Sequence, residues 1–245
     1  LTNEEILAEQ RQVETAMSES SAWQLILNGD PTLLAIVQLS LAVSLSAVVL
    51  AALAGMPLGA LLALTRFPGR SALVVLLNAL MGLPPVVVGL AVYLLLSRSG
   101  PLGAMGILFT PSAMVIAQTI LIVPIIAALT RQTVEDLWVE YRDELSAMDV
   151  SPIGRMATLL WDARFSLLTA LLAGFGRAAA EVGAVMIVGG NIDGFTRTMT
   201  TAVALETSKG NLPLAMGLGL ILVVIVLAIN AAAWGTRVWS ERQAG

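Results

Sequence analysis

The chain has 245 residues, of which 57% are hydrophobic and only 12% charged, about half the charged fraction of an ordinary soluble domain. With a mean hydropathy of +0.86 it reads as an all-α membrane protein of several spans. It contains no Cys and no His, which removes thiol nucleophiles, serine–histidine triads, haem ligation through either residue and His- or Cys-based metal sites. The net charge of −4 does not point to a cationic cargo. Six acids (Glu4, Glu5, Glu9, Glu14, Glu19 and Asp30) lie in the first 30 residues, and seven more lie in one polar insert.

Residues 1–30 read as a polar arm. They have neither a basic start nor an early apolar core, so the pattern is not that of a signal peptide. Residues 31–239 form one membrane domain, and 240–245 a short tail. A helix needs about 20 apolar residues to cross a bilayer. Five segments qualify: Leu33–Leu64, Ala72–Leu96, Pro111–Leu129, Ser166–Val188 and Leu212–Trp234. The first is long enough to tilt, and Pro57 with Gly55 and Gly59 is expected to kink it. The second carries Gly82 and Pro84-Pro85, and the third carries Pro124. Such breaks are either bends for packing or backbone lining a water-filled path. Asn78 and Gln118, polar residues within spans, are expected to bond between helices.

After the third span comes a polar insert, residues 131–165, which is expected to form two short helices with an elbow. Ser151-Pro152 supplies a cap residue followed by proline at the first helical position. Beyond it Ile153, Met156, Leu159 and Leu160 recur at helical spacing, while Arg155 and Arg164 fall elsewhere. A short amphipathic helix of this kind suits the grip of a soluble partner.

The fourth span holds Gly174-Phe-Gly-Arg177-Ala-Ala-Ala-Glu181-Val-Gly183. Charges at this depth cost at least a few kcal/mol each, so they must face the bundle interior or water. Arg177 and Glu181 stand at i,i+4 and are expected to pair. Two roles stay open: a self-neutralised pair holding helices together, or a contact for a charged solute in a passage. Gly189-Gly190-Asn191 is a helix stop. The stretch 199–205 is too short to cross and reads either as a surface helix or as a re-entrant piece.

Basic residues set the orientation. Arg66, Arg70, Arg131, Arg142, Arg155, Arg164, Arg237 and Arg242 fall on one side, against Arg11, Arg98, Arg197 and Lys209 on the other. This places the N-terminus outside and the insert and C-terminus in the cytoplasm. Trp161, Trp234 and Trp239 sit near the inner ends, and Trp23 suits the outer face. The single lysine, Lys209, follows no phosphate-cradling glycine loop, so the chain is not itself an ATPase.

The insert resembles the cytoplasmic loop of permease subunits of ATP-binding-cassette (ABC) importers, E-A-A-x-x-x-G, nine residues, I-x-L-P. Asp143-Glu144-Leu145 stand at E-A-A and Asp149 at the glycine. Leu159, Trp161 and Asp162 stand at I, L and P, and a register one residue on uses Glu144 as the acid. GFGRAAAEVGAVMIVGGN followed by TRTMTTAVALETSKGN is similar to the tungstate importer permeases, and more distantly to those for molybdate and sulfate. The resemblance implies a type I importer fold in a bacterial cytoplasmic membrane. It also implies a homodimer in lipid, two ATPase subunits that bind the ATP and Mg, and an extracytoplasmic anion-binding protein. It implies no cofactor in this chain and no nucleic acid. By the same resemblance Asp143, Glu144, Asp149, Ser151, Pro152, Met156 and Leu160 would couple to the ATPase. The alternative is a secondary transporter driven by an ion gradient, with Arg177 and Glu181 as its charged pair and Glu181 carrying a proton. The absence of an inverted repeat in five spans weighs against it.

Overall fold

Apolar runs bounded by proline and glycine dictate the architecture. The computed structural model describes residues 31–244. The arm at 1–30, with Trp23 and Arg11, lies outside the described residues, as do the side chains of Arg237, Trp239 and Arg242. The described residues form nine α-helices and one short 3₁₀ turn at Gly103–Met105, with no strand among them. The helices are α1 (Pro31–Leu64), α2 (Arg70–Met81), α3 (Pro85–Leu96), α4 (Pro111–Ala147), α5 (Pro152–Asp162), α6 (Arg164–Ala179), α7 (Gly183–Gly189), α8 (Met199–Ser208) and α9 (Leu212–Ala244). The last helix thus runs on through the expected tail. Pro85, Pro111 and Pro152 each open a helix, where the missing N–H has no intrahelical partner to lose.

The molecule is a multi-pass membrane protein. Helices α1, α4 and α9 each carry an apolar stretch long enough to cross a bilayer. The expected second span is two helices, α2 and α3, bent by 100° at Gly82–Pro84. Pro84 and Pro85 cannot donate to the helical ladder, and Pro84 is extended (φ −64°, ψ 121°). The expected fourth span is likewise interrupted. It runs as α6, breaks at 180–182 and resumes as α7. Asn78 lies on the exposed side of α2 rather than between helices.

The insert differs from its expectation in one respect. The helix of the third span does not stop near Leu129; α4 continues unbroken to Ala147 across Pro124. The first insert helix is therefore the polar extension of a membrane helix. Only the second, α5, is a separate element, meeting α6 at 76°.

Helix α4 is the axis of the core, packed along α1 and against α2, α3, α6 and α7. One cluster joins Val43, Val88, Met114 and Val188; a second joins Ala51, Ile122, Ile126 and Phe175. Gly55 and Gly59 do not break α1. They let it approach α4. A Cβ at Gly59 would overlap the Ala127 carbonyl oxygen and lie 2.9 Å from the Arg131 nitrogen. With Ala47 and Ala51, both fully buried, they form a small-residue stripe of the kind that draws membrane helices together.

Gly59→Ala should therefore force α1 from α4 and lower stability by about 1–3 kcal/mol, the range for overpacking. At Gly219 on α9 a Cβ meets nothing within 4 Å, and Gly219→Ala should be neutral or stabilising, by up to about 1 kcal/mol. Thermal unfolding of both variants in the same detergent checks the pair.

Candidate functional site

Two places gather chemistry: the break between α6 and α7, and the elbow between α4 and α5. At the break, Ala-Ala-Ala-Glu would continue a helix by propensity. Side chains take the ladder apart. Glu181 Oε1 accepts the Ala184 N–H at 2.9 Å, which a continuous helix would direct to the Ala180 carbonyl. The freed Ala178 carbonyl accepts the Glu181 N–H at 3.1 Å and the Gln118 side-chain amide at 3.1 Å. The Glu181 carbonyl accepts from the Thr200 hydroxyl at 2.8 Å. The predicted pair is present: Arg177 Nη1 donates to Glu181 Oε2 at 3.0 Å. Glu181 is only 3% exposed, while the Arg177 side chain is 30% exposed.

Helix α8 reaches into the bundle beside this break, packed on α9 and touching α1. Thr198 and Thr201 form a reciprocal cap at its start. The Met199 N–H donates to Ser40 Oγ on α1 at 2.7 Å. Between these elements lies a cavity of about 20 Å³, lined among others by Ser40, Ser44, Gln118, Thr198 and Thr200. Gln118 Oε1 is buried there without a hydrogen-bond partner. The space suits one water molecule. The sequence reading missed this hydroxyl layer. Its signals were the i,i+4 pair Ser40 and Ser44 in the first span and the run Thr198-Met-Thr-Thr201. At the far end of α8, Lys209 donates to Glu206 at 2.8 Å and holds its carboxyl below the ordinary range.

At the elbow, Asp143, Glu144, Asp149, Ser151 and Pro152 are all exposed. Ser151 caps α5, its hydroxyl accepting the Gly154 N–H at 3.2 Å. Asp149 has a φ of +49°, in the left-handed region that glycine occupies without cost. This is the residue that stands at the glycine of the E-A-A-x-x-x-G pattern. Arg155 donates to the Val150 carbonyl at 2.8 Å and lies over the Trp138 ring, fixing the angle of the turn.

The apolar stripe of α5 divides differently from the sequence expectation. Leu159 is fully buried, and Met156 and Leu160 pack with it against Ala60, Val134 and Leu145. Met156 and Leu160 therefore hold α5 to its own bundle and set its position. The apolar side chains left facing outward are Ile153, 76% exposed, and Trp161, 68% exposed. Where α4 leaves the apolar core, Glu135 bridges Arg131 of the same helix and Arg70 at the start of α2. Arg70 also donates to the Leu62 carbonyl at 2.7 Å.

No protein-family model matches the chain. Curated relatives do. A "Probable anion ABC transporter permease protein" of Haloferax volcanii is 43% identical over 204 residues, 81% of this chain and 88% of the relative. A "Tungstate uptake system permease protein TupB" of Peptoclostridium acidaminophilum is 38% identical over 214 residues, 87% of this chain and 94% of the relative. A "Sulfate transport system permease protein CysW" of Synechocystis is 30% identical over 198 residues, 77% of this chain and 71% of the relative. A helical bundle with broken spans and an exposed amphipathic elbow fits a membrane transport subunit, and relatives at 38–43% identity over most of the chain establish that class. The chain belongs to the ABC transporter permease family.

Asp149→Gly should keep the elbow and raise stability by up to about 1 kcal/mol, whereas Asp149→Val should lower it by about 1–2 kcal/mol through left-handed strain. Thermal unfolding of the purified chain distinguishes the two.

Proposed function

We propose that the chain is the membrane-spanning subunit of an ATP-driven importer for a tetrahedral oxyanion, tungstate or molybdate. It would receive the anion from an extracytoplasmic binding protein and release it in the cytoplasm. Two copies would form the passage. The N-terminus lies outside, and the elbow and C-terminus lie in the cytoplasm. Two separate ATPase subunits, which hold ATP and Mg, dock on the two copies of α5. The observation that carries the reading is the α4–α5 lever. One helix has its apolar half in the bundle and its polar half beyond the apolar core, and is followed by a short helix that presents Ile153 and Trp161. Kinship to anion and tungstate permeases over most of the chain supports the cargo.

In this scheme ATP draws the ATPases together and moves α5. Because Leu159, Met156 and Leu160 fasten α5 to α1 and α4, the displacement reaches the spans and opens the passage outward. Hydrolysis resets it. Arg177 offers the passing anion a transient attraction, since a conducting path must also let its ion leave.

Proteoliposomes holding the assembled complex and the binding protein test the reading. Tungstate uptake should require ATP and persist when a protonophore collapses the proton gradient. Uptake without ATP that stops with the protonophore would replace the scheme with gradient-driven transport through Glu181. Ile153→Glu combined with Trp161→Glu should release the ATPase on co-purification while membrane insertion continues. Arg177→Gln should cut uptake at least tenfold with normal assembly; an unchanged rate would remove Arg177 from the path.

A further inference from the structure

We propose that the Glu181 carboxylate is a built-in stand-in for the transported oxyanion. It occupies the donors at the α6–α7 break while the path is empty, and it competes with the anion for Arg177. The inference deepens the proposed function and rests on it.

Both carboxylate oxygens are engaged by donors of the kind that hold an oxyanion. One takes the Arg177 guanidinium N–H at 3.0 Å and the other the Ala184 backbone N–H at 2.9 Å. The two partners are unequally placed. Glu181 is 3% exposed and so packed at the back of the break, whereas the Arg177 side chain is 30% exposed. Glu181 is the one ion-pair partner of Arg177 among the described residues, and a guanidinium has five N–H donors. The open side of Arg177 thus has donors left for an incoming anion. The carboxylate is also held in register. Thr200 donates to the Glu181 carbonyl at 2.8 Å, and a Cβ on Gly183 would lie 2.9 Å from the Val86 side chain, so α3 closes over the break.

The electrostatics explain why such a competitor is useful. An unpaired guanidinium in a low-dielectric bundle attracts a dianion far more strongly than in water, and a path that binds tightly does not conduct. Glu181 makes the pair neutral. The anion gains Arg177 only by weakening the internal pair, and the carboxylate is at hand to recover the guanidinium when the anion moves on. Glu181 therefore sets dwell time rather than supplying attraction.

The test uses the whole complex in nanodiscs, with equilibrium binding of radioactive tungstate, and the same complex in proteoliposomes for uptake. Glu181→Gln keeps an acceptor for the Ala184 N–H and removes the charge. It should lower the half-saturating tungstate concentration at least tenfold and slow maximal uptake. Adding Arg177→Gln to it should abolish the tight binding. Glu181→Ala, which removes the carboxylate altogether, should also bind tungstate more tightly than the parent, and serves where Glu181→Gln does not assemble. Tungstate binding that is unchanged or weaker in an assembled variant overturns the inference. A parent complex that neither binds nor imports tungstate overturns the proposed function, and the inference with it.

Discussion

A helix interrupted inside an apolar bundle strands carbonyls and amides that water cannot reach, and each must find a partner in the protein. The α6–α7 break and the start of α8 beside it meet this demand with four side chains, three of them from α4, α8 and α1 and one, Glu181, from the break itself. Gln118 of α4 takes the Ala178 carbonyl, Glu181 takes the Ala184 N–H, Thr200 of α8 takes the Glu181 carbonyl, and Ser40 of α1 takes the Met199 N–H. The requirement thereby draws α1, α4, α6, α7 and α8 into one polar layer. The same layer makes a charged residue tolerable, because Arg177 arrives with its counter-charge already fixed by the backbone.

Helix α4 connects this layer to the elbow. From Gln118 to Ala147 it spans roughly 44 Å at the standard rise, without interruption. It leaves the apolar core at a point where Glu135 joins Arg131 to Arg70. Arg70 opens α2, and α2 leads to the bend before α3. Under the proposed function, a displacement of α5 reaches one break through the length of α4 and the other through this ion-paired bridge. The close seat of Gly55 and Gly59 on α4 makes α1 follow the same movement. Met156 and Leu160 belong to this mechanical chain, since they clamp α5 to the bundle.

The three unbroken spans, in α1, α4 and α9, were legible because length and apolarity decide them, and the start of α5 because Ser151-Pro152 is a local signal that needs no tertiary help. What the sequence hid is tertiary. The change from apolar to charged residues after Leu129 marks a change of solvent. It says nothing about the backbone, which stays helical through Glu135 to Ala147. The break at 180–182 follows a run of helix formers, and besides Glu181 itself it is held by Gln118 and Thr200, 60 and 19 residues from the carbonyls they bond. Gly55 and Gly59 carry the same letters whether they kink a helix or admit a neighbour. The stripe Ile153, Met156, Leu159 and Leu160 identifies residues near one another on α5, but the body that covers each one depends on where α1 and α4 lie.

The site's chemistry also limits what it can distinguish. Thr198, Thr200, Ser40 and Ser44 are neutral groups that serve as donor or acceptor, and Arg177 is balanced by Glu181. Such a layer responds to charge and to an oxygen-rich surface, not to the element at the centre of a tetrahedral anion. If the layer lines the path as proposed, tungstate and molybdate, which share charge and nearly share size, both pass it. Under the proposed function, choosing between them falls to a site that can hold the anion tightly. That site has to lie outside the path, in the binding protein, because tight holding and rapid release cannot be met at one place.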